Sequence, residues 1–348
     1  MGAATWANRG GMGSMEAYDD AVAVMRRRPS AAPEIRDLIR YATLAANGHN
    51  TQAWLFRPDE DGITILPDVQ RRTPVVDPDD HHLYVSMGCA AENLAIAAGT
   101  AGRAGAIDVH PAGDGGVRFR FGTGNGNDQS LFEAIPQRQS TRADYDGSRV
   151  EASDLRQLRA AAAIPGVDLV LVSERTQLNQ LRDLILAANT VQMGDPAFVA
   201  ELKRWLRFSP NTALRLGDGL FSAASGQPPL PEWLGPWLFD RAFSVKAETA
   251  RYARQIASSG GIAVLAGAEA DPAHWVQVGR ACQRFALQAT ALGLTCSFLN
   301  QPVEVPEFRA DLAALVGLPG RRPDIVLRFG RATPLPFSAR RPLAAVLL

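Results

Sequence analysis

Hydrophobic and polar positions along this chain follow two periods, and each period predicts a type of element. Ile35, Leu38, Ile39 and Ala42 recur at helical spacing, so residues 33–46 read as an amphipathic helix. Two short apolar runs follow, Trp54-Leu55-Phe56 and Ile63-Thr64-Ile65-Leu66, separated by Asp59-Glu60-Asp61-Gly62. They read as two strands joined by a turn. Residues 83–102 form a helix rich in small side chains, and residues 117–121 alternate Val, Arg, Phe, Arg, Phe as a strand does. Further on, residues 153–162, 175–192, 196–207 and 242–257 show helical periodicity, and 167–172 a strand pattern. The last of these helices breaks at Ser258-Ser259-Gly260-Gly261, and 262–267 then reads either as an apolar strand or as the start of a buried helix.

Part of this pattern recurs. Gly88, Ala90, Ala95, Ala98 and Gly102 reappear at one constant offset as Gly279, Ala281, Ala286, Ala289 and Gly293, and Pro111 as Pro302. The strand Val117 to Gly122 is echoed by Ile325 to Gly330. Small residues on one helix face let two helices approach closely. The recurrence therefore reads either as two similar halves packed about a pseudo-two-fold axis or as chance likeness between two alanine-rich helices.

Residues 209–240 depart from both periods. They hold five prolines, Trp233 and Trp237, and many Leu and Phe side chains with little charge. A long irregular segment of that kind is expected to be a lid or binding loop, or else a meander that covers a core.

Composition narrows the function more by exclusion than by indication. The 348 residues carry 36 basic and 36 acidic side chains, so no net field favours nucleic acid or a membrane surface. No run approaches the length of apolar chain that a membrane span needs. Arg26-Arg27-Arg28 looks like part of an export signal, but Pro29, Pro33, Glu34 and Arg36 follow it where an apolar run would be required. A cytoplasmic setting is expected. Cys89, Cys282 and Cys296 cannot all pair and form no CxxC, so neither a disulfide framework nor a zinc site is indicated. His49, His81 and His82 lie near Asp77, Asp79 and Asp80, yet lack helical metal-ligand spacing; no metal is expected. Cys296 reads as a small core residue. No G-x-G-x-x-G follows a strand, so a Rossmann site is not indicated. The N-terminal residues 1–29, rich in Gly, Ala and Asn over their first half, are expected to be disordered.

Three segments carry candidate chemistry. Asn47-Gly48-His49-Asn50-Thr51-Gln52 joins a helix to a strand and offers many donors and acceptors with little charge. That suits the edge of a neutral heterocycle such as flavin, or equally an ordinary helix C-cap. Arg138-Gln139-Ser140-Thr141-Arg142 can present two guanidinium forks and two hydroxyls to a phosphate, or can be a solvated basic turn. Arg328-Phe329-Gly330-Arg331, continuing to Arg340-Arg341-Pro342, can complete a phosphate site or form a basic tail.

Taken in order, these segments resemble the nitroreductase superfamily, and in particular its Acg branch, whose members fuse two nitroreductase-like halves in one chain. The most specific parts are Gly48 to Gln52 with Trp54, Asp77-Pro78, Gly88 with Glu92-Asn93-Leu94, Asp218-Gly219-Leu220, Ala291 to Leu294, and the Arg328 to Pro342 tail. The resemblance implies an α+β fold of mixed sheets flanked by helices, its two halves forming a pseudo-dimer within a monomer. The first, incomplete half would be 30–130 and the second 131–348, with the lid inserted at about 209–240. It implies FMN as cofactor, with NADH or NADPH as transient electron donor to flavin N5 and a small nitroaromatic- or quinone-like acceptor. The same resemblance allows two other readings: an FMN-sequestering protein whose lid blocks turnover, and a flavin-dependent dehydrogenase of a specific metabolite. Site residues carry over as follows. Arg138, Ser140 and Arg142 would hold the phosphate and ribityl chain. Arg340 or Arg341, with Arg331 in the same tail, would close the phosphate site. Asn47, His49, Asn50 and Gln52 would face the isoalloxazine. The turn at Leu299-Asn300-Gln301 would bring a backbone N–H near N5. The family pattern has Pro-Ser and Pro where this chain has Ala46-Asn47 and Ala53, which leaves the loop geometry open.

Overall fold

The computed structural model describes residues 11–27, 33–110 and 115–348. Its helices are α1 (Met15–Arg26), α2 (Ile35–Thr43), α3 (His81–Thr100), α4 (Gln129–Ala134), α5 (Ala152–Ala161), α6 (Arg175–Gly194), α7 (Pro196–Trp205), α8 (Pro210–Leu216), α9 (Gly235–Ala242), α10 (Val245–Ala257), α11 (Pro272–Ala291), α12 (Gln301–Glu304) and α13 (Arg309–Leu315). Its strands are β1 (Trp54–Pro58), β2 (Gly62–Pro67), β3 (Ala106–His110), β4 (Gly116–Arg120), β5 (Val167–Val172), β6 (Leu206–Arg207), β7 (Leu220–Phe221), β8 (Gly261–Gly267), β9 (Thr295–Phe298) and β10 (Ile325–Gly330).

Two four-stranded sheets, ordered β1-β2-β4-β3 and β5-β8-β10-β9, are antiparallel at every internal pair. Parallel pairings occur at their edges, where Val346 to Leu348 run beside Phe56 and Ser140 bridges Cys296. This gives the expected α+β class its mixed character. In the first sheet the register puts Phe56, Ile65, Val117 and Val109 on one face, with Trp54, Ile63, Phe119 and Ile107 two positions along. Trp54, Phe56, Ile63, Ile65, Val117 and Phe119 are fully buried, whereas the opposite face carries the Arg118–Asp59 and Arg120–Asp108 ion pairs. That is the alternation of a sheet with one wet face. In the second sheet both faces are covered. Ala263, Leu265, Leu327 and Phe329 join the core around α11, while Ile262, Val264 and Val326 pack with Leu181 and Ile185 of α6.

Between the sheets, α3 and α11 cross at contact distance. A Cβ added to Gly88 would stand 2.1 Å from the Val276 carbonyl oxygen, and one added to Gly279 would stand 2.0 Å from that of Val85. The contact is reciprocal: each glycine faces the carbonyl three residues before the other glycine. An isologous contact of this kind is what a two-fold axis produces. Beside it lies a polar seam. Buried Glu92 accepts from Arg280 and Arg284 at 2.8 Å each, and Arg284 also reaches Asp128 at 2.7 Å. Gln283 donates to Asn93 at 2.7 Å, and Asn93 donates to the Tyr41 carbonyl at 2.9 Å. Pro111, whose echo at Pro302 opens α12, lies outside the described residues.

Two expectations change. Residues 15–26 of the N-terminal segment are helical. Ser14 caps α1; along its inner stripe Tyr18 and Val22 cluster with Phe221 and Ala339, and Arg26 lies over the Phe337 ring. Tyr18 donates to the Phe337 carbonyl at 2.8 Å and accepts from Ala339 N–H at 3.0 Å. The glycines around residues 9–13 hid this stripe. Residues 209–240 are also less irregular than their composition suggests. They hold α8, β7 and the start of α9, and Gly217 supplies the left-handed C-cap of α8 at φ 65°.

The reciprocal glycine contact predicts that Gly279→Ala forces α3 and α11 apart and costs about 3 kcal/mol or more, as overpacking against backbone does. Gly194→Ala, where nothing lies within 4 Å of the new Cβ, should stay within about 0.5 kcal/mol. Urea denaturation of the two variants checks the contrast.

Candidate functional site

The Asn47 to Gln52 loop carries concentrated backbone strain. His49, Asn50 and Gln52 adopt φ of 48°, 53° and 53°, the left-handed region that non-glycine residues avoid at roughly 1–2 kcal/mol each. Side chains hold the loop there. Asn47 Oδ1 accepts from Gln52 N–H at 2.9 Å. Asn50 donates to the Gly219 and Ala339 carbonyls at 3.0 and 3.2 Å. Gln52 donates to the Gly217 carbonyl at 2.8 Å and accepts from Arg341 N–H at 2.9 Å. Strain so over-determined clusters at functional sites.

A cavity of about 580 Å³ opens beside this loop, within the range of small-molecule and cofactor pockets. Its polar floor includes Asn47, His49, Ser86, Arg142, Asn300 and Gln301. Leu230, Leu238 and Phe239 wall it from the segment expected to be a lid, and Phe208 and Phe243 flank that segment. Residues from α3, α6, α7, α10 and α11 also reach it, Val85, Met193, Phe198, Tyr252 and Cys282 among them. Cavity and strained loop thus meet where α3 and α11 cross.

Electrostatically the cavity is divided. Arg142 makes no side-chain hydrogen bond or ion pair among the described residues, and burial lowers its pKa. His49 is pushed down to about 4, by burial first and then by Arg142 and His82. Arg251 is paired with Glu248, and both also line the cavity. Glu304 faces the same space, and burial raises its pKa.

Of the expected site residues, the structure brings Asn47, His49, Arg142, Asn300 and Gln301 to the cavity wall. The others do not line the cavity. Asn50 and Gln52 turn their amides to the C-terminal tail and to Gly217 and Gly219, so they hold the loop and do not line the cavity. Leu299 is fully buried and its N–H donates to the Val326 carbonyl at 2.8 Å, which removes it as a donor to a ligand. Asn300 spends its Oδ1 on Val326 N–H at 2.9 Å. Arg331 lies at the surface near Asp154, at 3.5 Å. Arg341 contacts the Gln52 carbonyl at 3.0 Å and Asp68 at 3.2 Å. Ser140 sits in the bridge with Cys296.

Arg138 and Arg340 lie behind the cavity wall. Arg138 donates to the Leu44 carbonyl at 2.8 Å, and Arg340 to the Thr43 carbonyl at 2.8 Å and Asn50 Oδ1 at 2.9 Å. Neither has a carboxylate partner among the described residues. A third buried guanidinium joins them: Arg26 donates to the Pro136 carbonyl at 2.8 Å and to the Arg138 carbonyl at 3.2 Å. Arg340 is lowered to about 9, by burial first and then by Arg138. Arg26 is lowered by burial, then by Arg340 and Arg138. Three buried like charges without an acid are unusual, because buried charge is normally paired. Ala46, the next residue after Leu44 and Ala45, lines the cavity. Sequence reasoning missed Arg26; its signal was the Tyr18-Val22-Arg26 spacing.

Asp77, His81 and His82 come together with ligand atoms within 4.8 Å of one another. Asp77, however, caps α3, accepting from His82 and Leu83 N–H at 2.9 Å each. His82 Nε2 lies 3.1 Å from the Asp324 carbonyl oxygen. His81 stands 2.8 Å from Asp324 Oδ1 without the alignment of a hydrogen bond. Burial lowers His81 and raises Asp324 to about 6. Cys296 is raised to about 12 by burial, consistent with an inert core thiol. No helix among the described residues is long and apolar enough to cross a membrane.

No protein-family model matches the chain. It is similar to two proteins named provisionally as NAD(P)H nitroreductases: MT3217 of Mycobacterium tuberculosis strain CDC 1551 / Oshkosh, and Rv3131 of strain ATCC 25618 / H37Rv. Each is 28% identical over 344 residues, covering 91% of this chain and 91% of the relative. Among solved structures, an FMN-bound nitroreductase from Desulfitobacterium hafniense superposes with a TM-score of 0.39 at 14% identity, over 62% of this chain and 94% of that one. The FMN-dependent nitroreductase NfnB from Mycobacterium smegmatis, in complex with NADPH, gives 0.36 at 18% identity, over 59% and 88%. The superpositions cover about three fifths of the chain, whereas the sequence similarity runs along 91% of it.

The depressed His49 sets a pH dependence. Its folded pKa, about 4, lies below the ordinary value of 6.5. The unfolded chain therefore binds a proton that the native state refuses between those values. Stability is full above pH 6.5 and falls as pH drops toward 4, by about 2 kcal/mol after allowance for the partial exposure of the ring. His49→Asn, which tolerates left-handed backbone, should flatten this part of the profile. Urea midpoints at pH 7 and pH 4.5 compare the two proteins.

Proposed function

From the chain's relationship to the nitroreductase superfamily, we propose that it binds FMN in the cavity and uses NADH or NADPH to reduce a small organic acceptor. The observation that carries this reading is the pairing of a cofactor-sized cavity, whose cation Arg142 has no anion, with buried guanidinium groups just behind its wall that also lack one. The residues present fit the cofactor. Arg142 and His49 would face the flavin, and Arg138, Arg340 and Arg26 supply a desolvated positive field that a phosphate dianion would neutralise. Reaching the phosphate requires those guanidinium groups to exchange carbonyl acceptors for phosphate oxygens.

Bound FMN would supply two-electron hydride chemistry, so the protein needs no catalytic triad. The chain's own contributions are positional. The strained loop holds Asn47 and His49 at the cavity edge. Neutral His49 can accept or donate a hydrogen bond without adding charge. Gln301 N–H, at the first turn of α12, has no intrahelical acceptor and is available to a ligand. The Leu238, Phe239 and Phe243 wall excludes water, which strengthens every polar contact inside. The two-fold packing of α3 and α11 supports reading the chain as a fused pseudo-dimer, with one half before about residue 130 and the other after it, acting as a monomer.

The cavity wall contributed by the 209–240 segment favours one second reading, an FMN-holding protein whose lid limits turnover. FMN bound at full occupancy, with no NADPH oxidation in the presence of a quinone, would select it. For the site itself, Arg142→Ala should weaken FMN binding by about 2 kcal/mol, roughly thirtyfold, since a half-buried charged partner is lost. Arg138→Ala should weaken it at least as much if the phosphate lies at the buried cluster. Fluorescence titration of the apoprotein with FMN measures both, and an affinity unchanged in each variant would remove FMN from this site.

A further inference from the structure

A cluster of metal-ligating side chains stands at the start of α3, beside the cavity that Asp77 and His82 line. Asp77, His81 and His82 each bring one ligand atom to within 4.8 Å of the others. Adjacent residues inside a helix do not face each other, which is why the spacing of these histidines argued against a metal. At the first turn they meet: the rings of His81 and His82 lie side by side, centroids 4.5 Å apart and planes inclined by 31°. Asp80, at φ 59°, turns the chain just before the helix. Asp77 thereby comes back over the first turn and accepts from His82 and Leu83 N–H at 2.9 Å each. Each Asp77 oxygen uses one acceptor site in this cap and keeps another.

Behind both rings stands Asp324. His81 Nε2 is 2.8 Å from Asp324 Oδ1, and His82 Nε2 is 3.1 Å from the Asp324 carbonyl oxygen. An imidazole that binds a metal through one nitrogen turns its other N–H to a carboxylate or a backbone carbonyl. Asp324 offers one of each, one to each ring, which leaves the two Nδ1 atoms for an ion. His81 and Asp324 are each 1% exposed, and burial lowers the pKa of His81, which keeps it in the neutral form that coordinates. The local charge favours a cation. Asp79, Asp80 and Asp168 are paired with Arg322, Arg72 and Arg321. Asp77 and Asp324 have no Arg or Lys ion-pair partner among the described residues, and Glu304 has His82, with Nδ1 at 3.7 Å. Arg309, also within electrostatic reach of Asp77 and Asp324, donates to the Val303 carbonyl at 2.7 Å. We propose that Asp77, His81 and His82 bind one divalent transition-metal ion, zinc or a first-row relative, with Asp324 orienting both imidazoles. Two imidazoles and a carboxylate form a zinc donor set that keeps a fourth position. Because Asp77 and His82 line the cavity, that position is open to water or to an oxygen of a bound molecule. Ligand bonds of about 2.0–2.2 Å need only rotations of the side chains. Any proton on His82 leaves as the metal enters, and the ion replaces it as the cation beside Glu304.

The test uses the tag-free full chain, treated with a chelator and then titrated with zinc chloride by isothermal calorimetry at pH 7. Bound metal is counted by elemental mass spectrometry, and one zinc per chain is expected. His81→Gln and His82→Gln should each weaken zinc binding at least about tenfold, and Asp324→Asn, which keeps the shape, about tenfold. His274→Gln, on α11 and outside the cluster, should bind zinc as the wild type does. A wild type that binds no zinc would overturn the proposal, as would His81→Gln and His82→Gln variants that bind it unchanged. Should a variant fail to fold, X-ray absorption at the zinc edge of the loaded wild type decides. Two imidazoles with oxygen ligands uphold the site, whereas sulfur scattering at about 2.3 Å, or a shell without imidazole, overturns it. The site does not depend on the flavin reading: zinc bound in this way by a protein that accepts no FMN would uphold the one and sink the other.

Discussion

The crossing of α3 and α11 is the constraint from which the rest of the site follows. Only a hydrogen at residues 88 and 279 lets the two backbones meet, since any Cβ there would lie about 2 Å from a carbonyl oxygen. That closeness brings the Glu92, Arg280 and Arg284 ion pairs together at the seam and lets Gln283 reach Asn93. Gln283 Oε1 also accepts from Ala46 N–H at 3.2 Å, the residue from which the strained loop departs. Val85 of α3 and Cys282 of α11, both beside the crossing, line the cavity. The helix contact, the loop and the cavity are therefore one mechanical unit.

The loop in turn depends on the chain's far end. Asn50 and Gln52 are held in left-handed backbone by carbonyls of residues 217 and 219 and by the 339–341 tail. Arg207, on β6, fixes that partner segment through Asp218 at 2.7 Å, and Arg71 pairs with the same carboxylate. Strain near the cavity is thus offset by hydrogen bonds that tie residues almost three hundred positions apart along the sequence. The three buried arginines Arg26, Arg138 and Arg340 stand in the same region, bonded to carbonyls but not neutralised, and the Nε of Arg26 and of Arg138 has no partner. An electrostatic imbalance of that kind suits an anion, and a cofactor phosphate is the one proposed above.

Much of this was legible in the sequence, for identifiable reasons. The strands Trp54 to Phe56, Ile63 to Leu66 and Val117 to Phe121 alternate cleanly because one face of their sheet is wet. The recurrence of Gly88 and Ala90 at Gly279 and Ala281 pointed to close helix packing, because only small residues permit it. The edge strand β3 went unread: Ile107 and Val109 give too short an alternation between polar neighbours. So did α1, whose apolar stripe is flanked by glycine. The side-chain roles of Asn50, Gln52, Arg340 and Arg341 could not be read locally, because their partners come from segments distant in sequence. Asn47, His49 and Arg142, picked out by the polar motifs, line the cavity, whereas Arg138 is not among its lining residues. Glu304 carried no signal at all; a lone Glu after Pro-Val gains meaning only when the fold turns it toward the cavity.

The most direct measurement is the absorbance spectrum of the purified protein, with mass spectrometry of whatever heat releases from it. A flavin spectrum and FMN at close to one per chain are the result this account predicts. A colourless protein that stays colourless after incubation with FMN would contradict it.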